Sequence, residues 1–352
     1  MFAVLKIIGD ETVLQGLVKG LSTPLLVGFI AASLFVLSKG ADVLIDGVVS
    51  LARRTGIPRI IIGATIVSLG TTAPEAFVSV MAAWMGDPGL ALGNGVGSII
   101  ADTGLIFGLS CMLVPMPVNR FVLNRTGWVQ VGSATLLVVI SVVTLLFNEA
   151  GPVLGRGIGF FLLLLLAGYL FATYLWAKQG IAGLGEEVDT SEMIGLTRTW
   201  VMIAGGLVAV IAGARVLIPC AAEIANRLGV PEDVIAATMV AFGTSLPELM
   251  TAISAIRKGH PEITVGNIVG ADVLNCLFVI GGAAVARPLQ IPENFFTFHF
   301  PAMLIILYSF RGFIFLNRSG QFRRWQGAWL LGIYVVYVIT QYALNVGSTG
   351  SI

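Results

Sequence analysis

The chain has 352 residues, of which 57% are hydrophobic and only 11% are charged, and its formal net charge is +1. A soluble globular domain carries about 25% charged residues, so this composition excludes the soluble class. The small net charge provides no basic field for nucleic acid, and we expect no nucleic-acid partner. Apolar runs of about 20 residues, long enough to cross a bilayer, recur along the sequence and predict an all-α polytopic membrane protein.

Ten apolar segments follow an N-terminal stretch, 1–23, whose scattered charges predict a surface segment. The predicted spans are 24–50, 59–85, 90–115, 124–147, 153–177, 198–224, 232–257, 262–286, 296–316 and 325–345. The longest loop between them, 179–197, is acidic and contains glycine. This composition predicts a connector between a first half, 24–178, and a second half, 198–352.

Lysine and arginine are distributed unequally between alternate loops. The side that receives the odd-numbered loops carries thirteen of these residues, and the other side carries five. Because basic residues accumulate in cytoplasmic loops, we predict a cytoplasmic connector 179–197. Both termini are then extracellular or periplasmic, and the protein is a multi-pass protein of the cell (inner) membrane.

An internal repeat appears when the sequence is shifted by 173 residues. Without a gap, "IGATIVSLGTTAPE" aligns with "IAATMVAFGTSLPE", and "GNGVGSIIAD" aligns with "GNIVGADVLN". The match runs over residues 40–102 of the first copy, which is too long for chance similarity between two glycine-rich helices. Five spans per half is an odd number, so the second half enters the membrane from the opposite side. The sequence therefore predicts two inverted-topology repeats of five helices, an architecture common in secondary transporters.

Each copy of the repeat interrupts an apolar segment with a proline. Pro74 and Pro247 lack a backbone N–H and clash with the preceding helical turn. We therefore expect the carbonyls of 68–72 and 241–245 to lose their helical partners. Free carbonyls within a membrane are tolerated only where protein, water or an ion satisfies them.

A carboxylate follows each proline directly, at Glu75 and Glu248. An ionisable side chain at membrane depth is costly and is functional by default. Asp102 of the first copy aligns with Asn275 of the second, and Ser98 lies one helical turn before Asp102 on the same face. Carboxylates, carbonyls and hydroxyls are the ligands that hard cations prefer, so these residues predict a cation site.

Asn94 and Asn267 also occupy matching positions in the two copies, each following a glycine. Small residues let membrane helices approach closely. Helix packing and ion binding both remain open for these two asparagines.

The paired motifs "GTTAPE…GNGVGSIIAD" and "GTSLPE…GNIVGADVLN" resemble the two alpha-repeats of the cation/calcium antiporter superfamily. They are most similar to its prokaryotic sodium/calcium exchangers, and the resemblance covers nearly the whole chain. It implies ten transmembrane helices in two inverted-topology repeats of five, and exchange of several Na⁺ for one Ca²⁺ by alternating access. It also implies that the first and sixth segments move against the other eight. We expect no enzymatic activity, no cofactor, and a functional monomer in the lipid bilayer.

The resemblance also implies a role for individual residues. The implied Ca²⁺ ligands are Glu75, Glu248 and the carbonyls of Thr71 and Thr244. The implied Na⁺ ligands, all carbonyls or hydroxyls, are Ser68, Ala241, Thr72, Ser245 and Ser98. Asp102 and Asn275 would complete the centre.

The sequence departs from the pattern of the family in three ways. Ala271 stands where a serine is frequent, so one hydroxyl ligand for Na⁺ is missing. The central acid and amide, Asp102 and Asn275, are exchanged between the repeats relative to some members. Asp272 adds a carboxylate where asparagine is common. These departures leave the Ca²⁺ ligands intact and leave the counter-ion open.

Other function classes fit the same residues less well. A Ca²⁺/H⁺ antiporter, or an antiporter of another cation, needs only the acids and is compatible with Ala271. A channel would use similar oxygens, but two interrupted helices around one central site favour a carrier. An intramembrane aspartyl protease requires two facing aspartates, whereas Asp102 is matched by Asn275. A membrane scaffold would not explain the paired carboxylates.

Overall fold

The computed structural model describes residues 16–148, 151–183, 194–228 and 244–349, and these residues are mostly helical. From residue 23 on, the helices are α1 Thr23–Thr55, α2 Arg59–Thr71, α3 Ala73–Met85, α4 Pro88–Leu113, α5 Arg120–Phe147, α6 Arg156–Gly183, α7 Leu196–Arg227, α8 Leu246–Arg257, α9 Pro261–Ala286, α10 Phe295–Leu316 and α11 Arg324–Thr349. Four two-residue strands lie between them: β1 Met116–Pro117, β2 Val153–Leu154, β3 Leu289–Gln290 and β4 Gln321–Phe322.

Seven helices among the described residues are long and apolar enough to cross a membrane: α1, α4, α5, α6, α7, α9 and α10. The pair α2 and α3 is an eighth candidate, bent by 41° at the predicted interruption. Of the two remaining predicted segments, 325–345 falls within α11, and α8 covers the end of 232–257. Residues 229–243 lie outside the described residues, so the full set of ten spans stays a prediction.

The predicted surface segment 1–23 and connector 179–197 fall largely outside the described residues, which exclude 1–15 and 184–193. The described end of the connector contacts the end of α1, where the Arg54 side chain donates to the Ile194 carbonyl at 2.7 Å.

The short strands form two antiparallel ribbons that connect distant parts of the chain. Met116 of β1 lies opposite Phe322 of β4, and Val153 of β2 lies opposite Gln290 of β3. The ribbons lie at opposite ends of α5, because β1 precedes that helix and β2 follows it. Shifting β1 by the repeat length of 173 residues places it on β3.

Helices α4 and α9 form the centre of the molecule. Their most apolar windows are 72% and 83% buried by protein, against 28% for α1 and 33% for α7. Phe107 of α4 packs edge-on against Phe310 and Phe322, with ring centroids 4.8 and 4.9 Å apart. Residues on α4 and α9 are therefore shielded from lipid, and α1 and α7 are peripheral.

The peripheral helices α1 and α7 pack against each other through glycines. A Cβ atom added to Gly206 would lie 2.6 Å from the Leu44 backbone nitrogen, and one added to Gly40 would lie 2.8 Å from the Ala209 Cβ. Side chains at these positions would separate the helices, so small residues are required for the close approach.

Several of the helices contain a turn of π-helix, which inserts an extra residue and locally disrupts the regular hydrogen-bond ladder. Such turns occur at Gly63–Val67 in α2, Ala101–Phe107 in α4, Asn275–Val279 in α9 and Phe295–His299 in α10. The first three precede or include Ser68, Asp102 and Asn275, which are predicted site residues. Turns of this kind are frequent at functional sites. The fourth, in α10, contains no predicted site residue.

Candidate cation-binding site

The two repeat glutamates occupy equivalent positions in the structure. Glu75 lies in the first turn of α3 and Glu248 in the first turn of α8, each directly after a proline. Both side chains are only 1% exposed. Helix N-termini carry partial positive charge, which stabilises a carboxylate in the first turn. The proline therefore both starts the helix and places an acid at its positive end.

The backbone before the first glutamate is more regular than the sequence predicted. The Ser68 carbonyl accepts a helical hydrogen bond from the Thr72 N–H at 2.8 Å, and the Thr72 carbonyl accepts one from Ala76 at 3.1 Å. In the second repeat the Ser245 carbonyl accepts from Leu249. The prediction that these carbonyls lose their helical partners is therefore wrong for Ser68, Thr72 and Ser245, because each proline removes only the N–H of its own position. Residues 241–243 lie outside the described residues. A carbonyl oxygen has two lone pairs and can still contact an ion.

Asn94 connects the two interrupted regions. Its Nδ2 donates to the Glu75 carbonyl at 3.1 Å and to the Ser79 hydroxyl at 2.9 Å, both on α3. Its Oδ1 accepts from the Thr244 hydroxyl, two residues before α8, at 3.2 Å. One buried amide of α4 therefore holds the turn of Glu75 next to the residues that precede Glu248.

Asn267 of α9 makes the equivalent connection in the opposite direction. Its Oδ1 accepts from the Thr71 hydroxyl, and its Nδ2 donates to the Thr251 hydroxyl, both at 3.4 Å. Thr71 and Thr244 are repeat partners, as are Asn94 and Asn267. Each asparagine thus binds a threonine of the other repeat, so these two amides connect the repeats.

Three carboxylates converge in the interior of the molecule. Glu75 is repelled electrostatically by Glu248 and by Asp102, and Asp102 is repelled by Glu248. Asp102 and Asn275 are each 1% exposed. Buried carboxylates that repel one another favour a cation nearby.

Seven predicted site residues each have one buried side-chain oxygen without a hydrogen-bond partner among the described residues. These oxygens are Thr72 Oγ1, Glu75 Oε2, Ser98 Oγ, Asp102 Oδ1, Ser245 Oγ, Glu248 Oε2 and Asn275 Oδ1. Buried polar atoms are normally paired, and each unpaired one costs about 1–3 kcal/mol. Hydroxyl, amide and carboxylate oxygens are the donor set of Ca²⁺ and similar hard cations.

The acids alone do not form a compact metal centre. In the described ranges no group of three or more His, Cys, Asp or Glu side chains is placed to hold a metal ion. An ion bound among these oxygens would therefore need hydroxyl, carbonyl and amide ligands beside the carboxylates. Such a mixed set suits a transported ion, which must bind and leave, better than a permanently bound one.

Of the remaining predicted positions, two are buried in the interior and one is not described. Ser68 is fully buried and lies against Gly270 of α9, where a Cβ atom would collide with the Ser68 hydroxyl. Ala271 is fully buried, so its missing hydroxyl leaves an apolar surface inside the protein. Ala241 lies outside the described residues.

Four buried polar residues beside the site were not predicted from the sequence: Ser79, Thr103, Gln130 and Thr251. Gln130 of α5 is 1% exposed, and its Nε2 donates to Asp272 at 2.6 Å. A lone glutamine in the predicted segment 124–147 is a visible signal, but periodicity does not indicate which helix it contacts.

A profile of the family described as "Sodium/calcium exchanger protein" matches residues 25–175 and 198–343 of this chain. Among curated proteins, the sodium/calcium exchanger MaX1 of Methanosarcina acetivorans is 29% identical over 347 residues, covering 88% of this chain and 96% of that protein. The inner membrane protein YrbG of Escherichia coli is 32% identical, covering 92% of this chain and 98% of that protein.

The fold has a close counterpart among solved structures. The sodium-calcium exchanger NCX_Mj, soaked with Na⁺ and Sr²⁺, superposes with a TM-score of 0.74 at 25% sequence identity. The match covers 90% of this chain and 99% of that one.

Proposed function

This chain belongs to the sodium/calcium exchanger protein family of multi-pass membrane transporters, and we propose from that premise that it exchanges Na⁺ for Ca²⁺ by alternating access. The observation that carries the proposal is the set of seven unpartnered buried oxygens around three converging carboxylates. A cation is the species that satisfies oxygens and negative charge together.

In this proposal Ca²⁺ is bound by Glu75 and Glu248 with the carbonyls of Thr71 and Thr244. The Na⁺ ions occupy flanking positions whose hydroxyl oxygens are unpartnered among the described residues: Thr72, Ser98 and Ser245. The carbonyls of Ser68 and Ala241 contribute further Na⁺ ligands, and Asp102 and Asn275 complete the centre.

The proposed inverted repeat is supported by pairs of contacts related by the shift of 173 residues. Asn94 binds Thr244, and Asn267 binds Thr71. Replacing each residue by its counterpart in the other repeat converts the first contact into the second. The ribbons also join one repeat to the other, because β1 pairs with β4 and β2 pairs with β3; of these strands, β1 and β3 are related by the same shift. These reciprocal contacts favour a pseudo-two-fold axis that relates two halves of opposite orientation.

The proposed topology of ten spans is supported by contacts between loops. The β1–β4 ribbon joins the third and ninth predicted loops. The β2–β3 ribbon joins the start of the fifth predicted segment, next to the fourth loop, to the eighth loop. Arg54 of the first loop binds Ile194 of the fifth, and Arg227 of the sixth binds the Leu21 carbonyl before α1. Each contact joins loops of the same predicted side. With the excess of basic residues on the odd-numbered side, this favours a cytoplasmic connector and termini on the outside of the cell (inner) membrane.

Electrostatics supply a reason for obligatory exchange. An empty site with three carboxylates is strongly charged, and moving it through a low-dielectric barrier is costly. Filled by Ca²⁺ or by several Na⁺, the site is nearly neutral. The peripheral helices α1 and α7, which pack against each other through glycines, are the moving pair that the resemblance to the family implies. Ion occupancy would then permit their movement across the site.

The proposal is tested by Ca²⁺ uptake into proteoliposomes with variants Glu75→Gln and Glu248→Gln. Each variant keeps the size of the side chain but removes one charge, so we expect folded, monodisperse protein without Ca²⁺ transport. Glu262→Gln is the matched control, because Glu262 pairs with Arg59 at 3.2 Å and is not a candidate ligand. Normal transport by either site variant would remove the proposed Ca²⁺ ligands.

The counter-ion is tested in the same vesicles. Wild-type protein is given an imposed Na⁺ gradient without a pH gradient, and then the reverse. We expect uptake only with the Na⁺ gradient. Uptake driven by the pH gradient alone would make the chain a Ca²⁺/H⁺ antiporter, the alternative with which Ala271 is compatible.

A further inference from the structure

Asp272 is a buried carboxyl group that the proposed exchange does not use. It lies in α9 and is 1% exposed, and the matching position of the first repeat is Ile99. Its hydrogen-bond partners are Thr103 of α4 and Gln130 of α5. Neither partner is a candidate ion ligand, so Asp272 forms a polar contact of its own beside the central site.

The hydrogen bonds of Asp272 are unevenly divided between its oxygens. Oδ2 accepts from the Thr103 hydroxyl at 2.5 Å and from the Gln130 Nε2 at 2.6 Å. Oδ1 is buried and has no partner among the described residues, and the same holds for the Gln130 Oε1. The acid and the amide are thus joined by one hydrogen bond, while Asp272 Oδ1 and Gln130 Oε1 both lack a donor.

An ionised Asp272 would be poorly compensated in this position. In the described part of the chain no lysine, arginine or histidine forms an ion pair with it. The titratable groups that interact with it electrostatically are Asp102 of α4 and Cys276 of its own helix, and neither supplies positive charge. A charged carboxylate buried without a cation is costly at membrane depth.

A metal ion fits this contact less well than a proton. Hard cations require several oxygen ligands, whereas Thr103 and Gln130 both direct hydrogens at the carboxyl group. Two acceptor oxygens remain without a donor, Asp272 Oδ1 and Gln130 Oε1. A single hydrogen on Asp272 Oδ1 would form a hydrogen bond between them. An acid and an amide can share two hydrogen bonds in this way, with the acid as donor in one and acceptor in the other.

We propose that Asp272 is a proton-binding site, in which a hydrogen on Oδ1 is donated to the Oε1 of Gln130. The proton is resident, because the group is sealed between α4, α5 and α9 and its other oxygen is occupied by two donors. The acid–amide pair ties α5 to α9, and Thr103 adds α4. Asp272 then contributes no charge to the centre, whose negative charge comes from Glu75, Glu248 and Asp102.

The direct test is infrared spectroscopy of purified protein at neutral pH, comparing wild type with Asp272→Asn. A protonated carboxyl group has a C=O stretching band that a carboxylate lacks. We expect this band in the wild-type-minus-variant difference spectrum, both in Na⁺ and in Ca²⁺. Asp87→Asn is the control, since Asp87 accepts from the Leu90 N–H at the exposed start of α4 and should give no such band.

Two spectroscopic outcomes would overturn the proposal. The absence of the band from the difference spectrum would mean that Asp272 is ionised. A band that disappears when Ca²⁺ replaces Na⁺ would mean that the proton leaves during exchange and is not resident. Neither measurement uses transport, so failure of this proposal is distinguishable from failure of the proposed exchange.

Thermal unfolding in detergent supplies a second readout. Asparagine reproduces the hydrogen-bond pattern of the protonated acid, with its N–H facing the Gln130 Oε1. We therefore expect Asp272→Asn to keep the wild-type Tm. Asp272→Leu should lower the Tm, because it leaves Thr103 and Gln130 without their hydrogen-bond acceptor. If Asp272→Asn lowers the Tm as much as Asp272→Leu does, the ionised carboxylate is the native species and the proposal is wrong.

Discussion

Replacing Asn94 by leucine removes the contact between the two interrupted regions while keeping the approximate size of the side chain. Asn94 makes three hydrogen bonds of 2.9 to 3.2 Å, to Glu75, Ser79 and Thr244. A neutral buried hydrogen bond contributes about 1 kcal/mol net, so we expect Asn94→Leu to lower the free energy of unfolding by about 3 kcal/mol.

The matched variant is Asn267→Leu at the repeat-related position. Asn267 makes two hydrogen bonds, both 3.4 Å long, and bonds of that length are weak. We expect a loss of about 1 kcal/mol, clearly smaller than that of Asn94→Leu. Ser141→Ala is a control for a buried hydroxyl that bonds within its own helix, to the Leu137 carbonyl, and its loss should be about 0.5 kcal/mol or less.

The assay is reversible SDS unfolding of purified protein in mixed micelles, combined with Ca²⁺ binding by titration calorimetry. Asn94→Leu should also weaken Ca²⁺ binding more than Asn267→Leu does, because it releases the turn that carries Glu75. An equal or larger loss of stability in Asn267→Leu would refute the reasoning from hydrogen-bond number and length. Unchanged Ca²⁺ binding in Asn94→Leu would show that the amide does not position the site.

Two further predictions concern topology and the counter-ion. A cysteine placed within 182–190 should react with an impermeant reagent only from the cytoplasm, and one near residue 348 only from outside; reversed labelling would overturn the orientation. The native cysteines are buried, which keeps the background low. Ala271→Ser, which adds one oxygen, should strengthen the Na⁺ dependence of Ca²⁺ exchange, and Ser98→Ala should weaken it. Coinciding Na⁺ titration curves for these variants and wild type would exclude the 98/271 pair as Na⁺ ligands.

The sequence by itself determined the membrane class, the repeat and the principal acids. Spans of about 20 apolar residues follow from bilayer thickness, and a carboxylate beside a proline within such a span has few structural explanations. The bend between α2 and α3 was predictable for the same reason, since proline lacks the N–H that a continuous helix uses. The repeat was visible because it preserves residue order without gaps.

Only the tertiary structure decided which polar groups are partners. Periodicity places Asn94 and Gln130 on a helix, but it does not indicate that Asn94 contacts Thr244 of the other repeat or that Gln130 contacts Asp272. Local rules act over a few residues, whereas these contacts join positions 142 to 150 residues apart. Their geometry depends on how whole helices pack, and packing is set by the shapes of all side chains together.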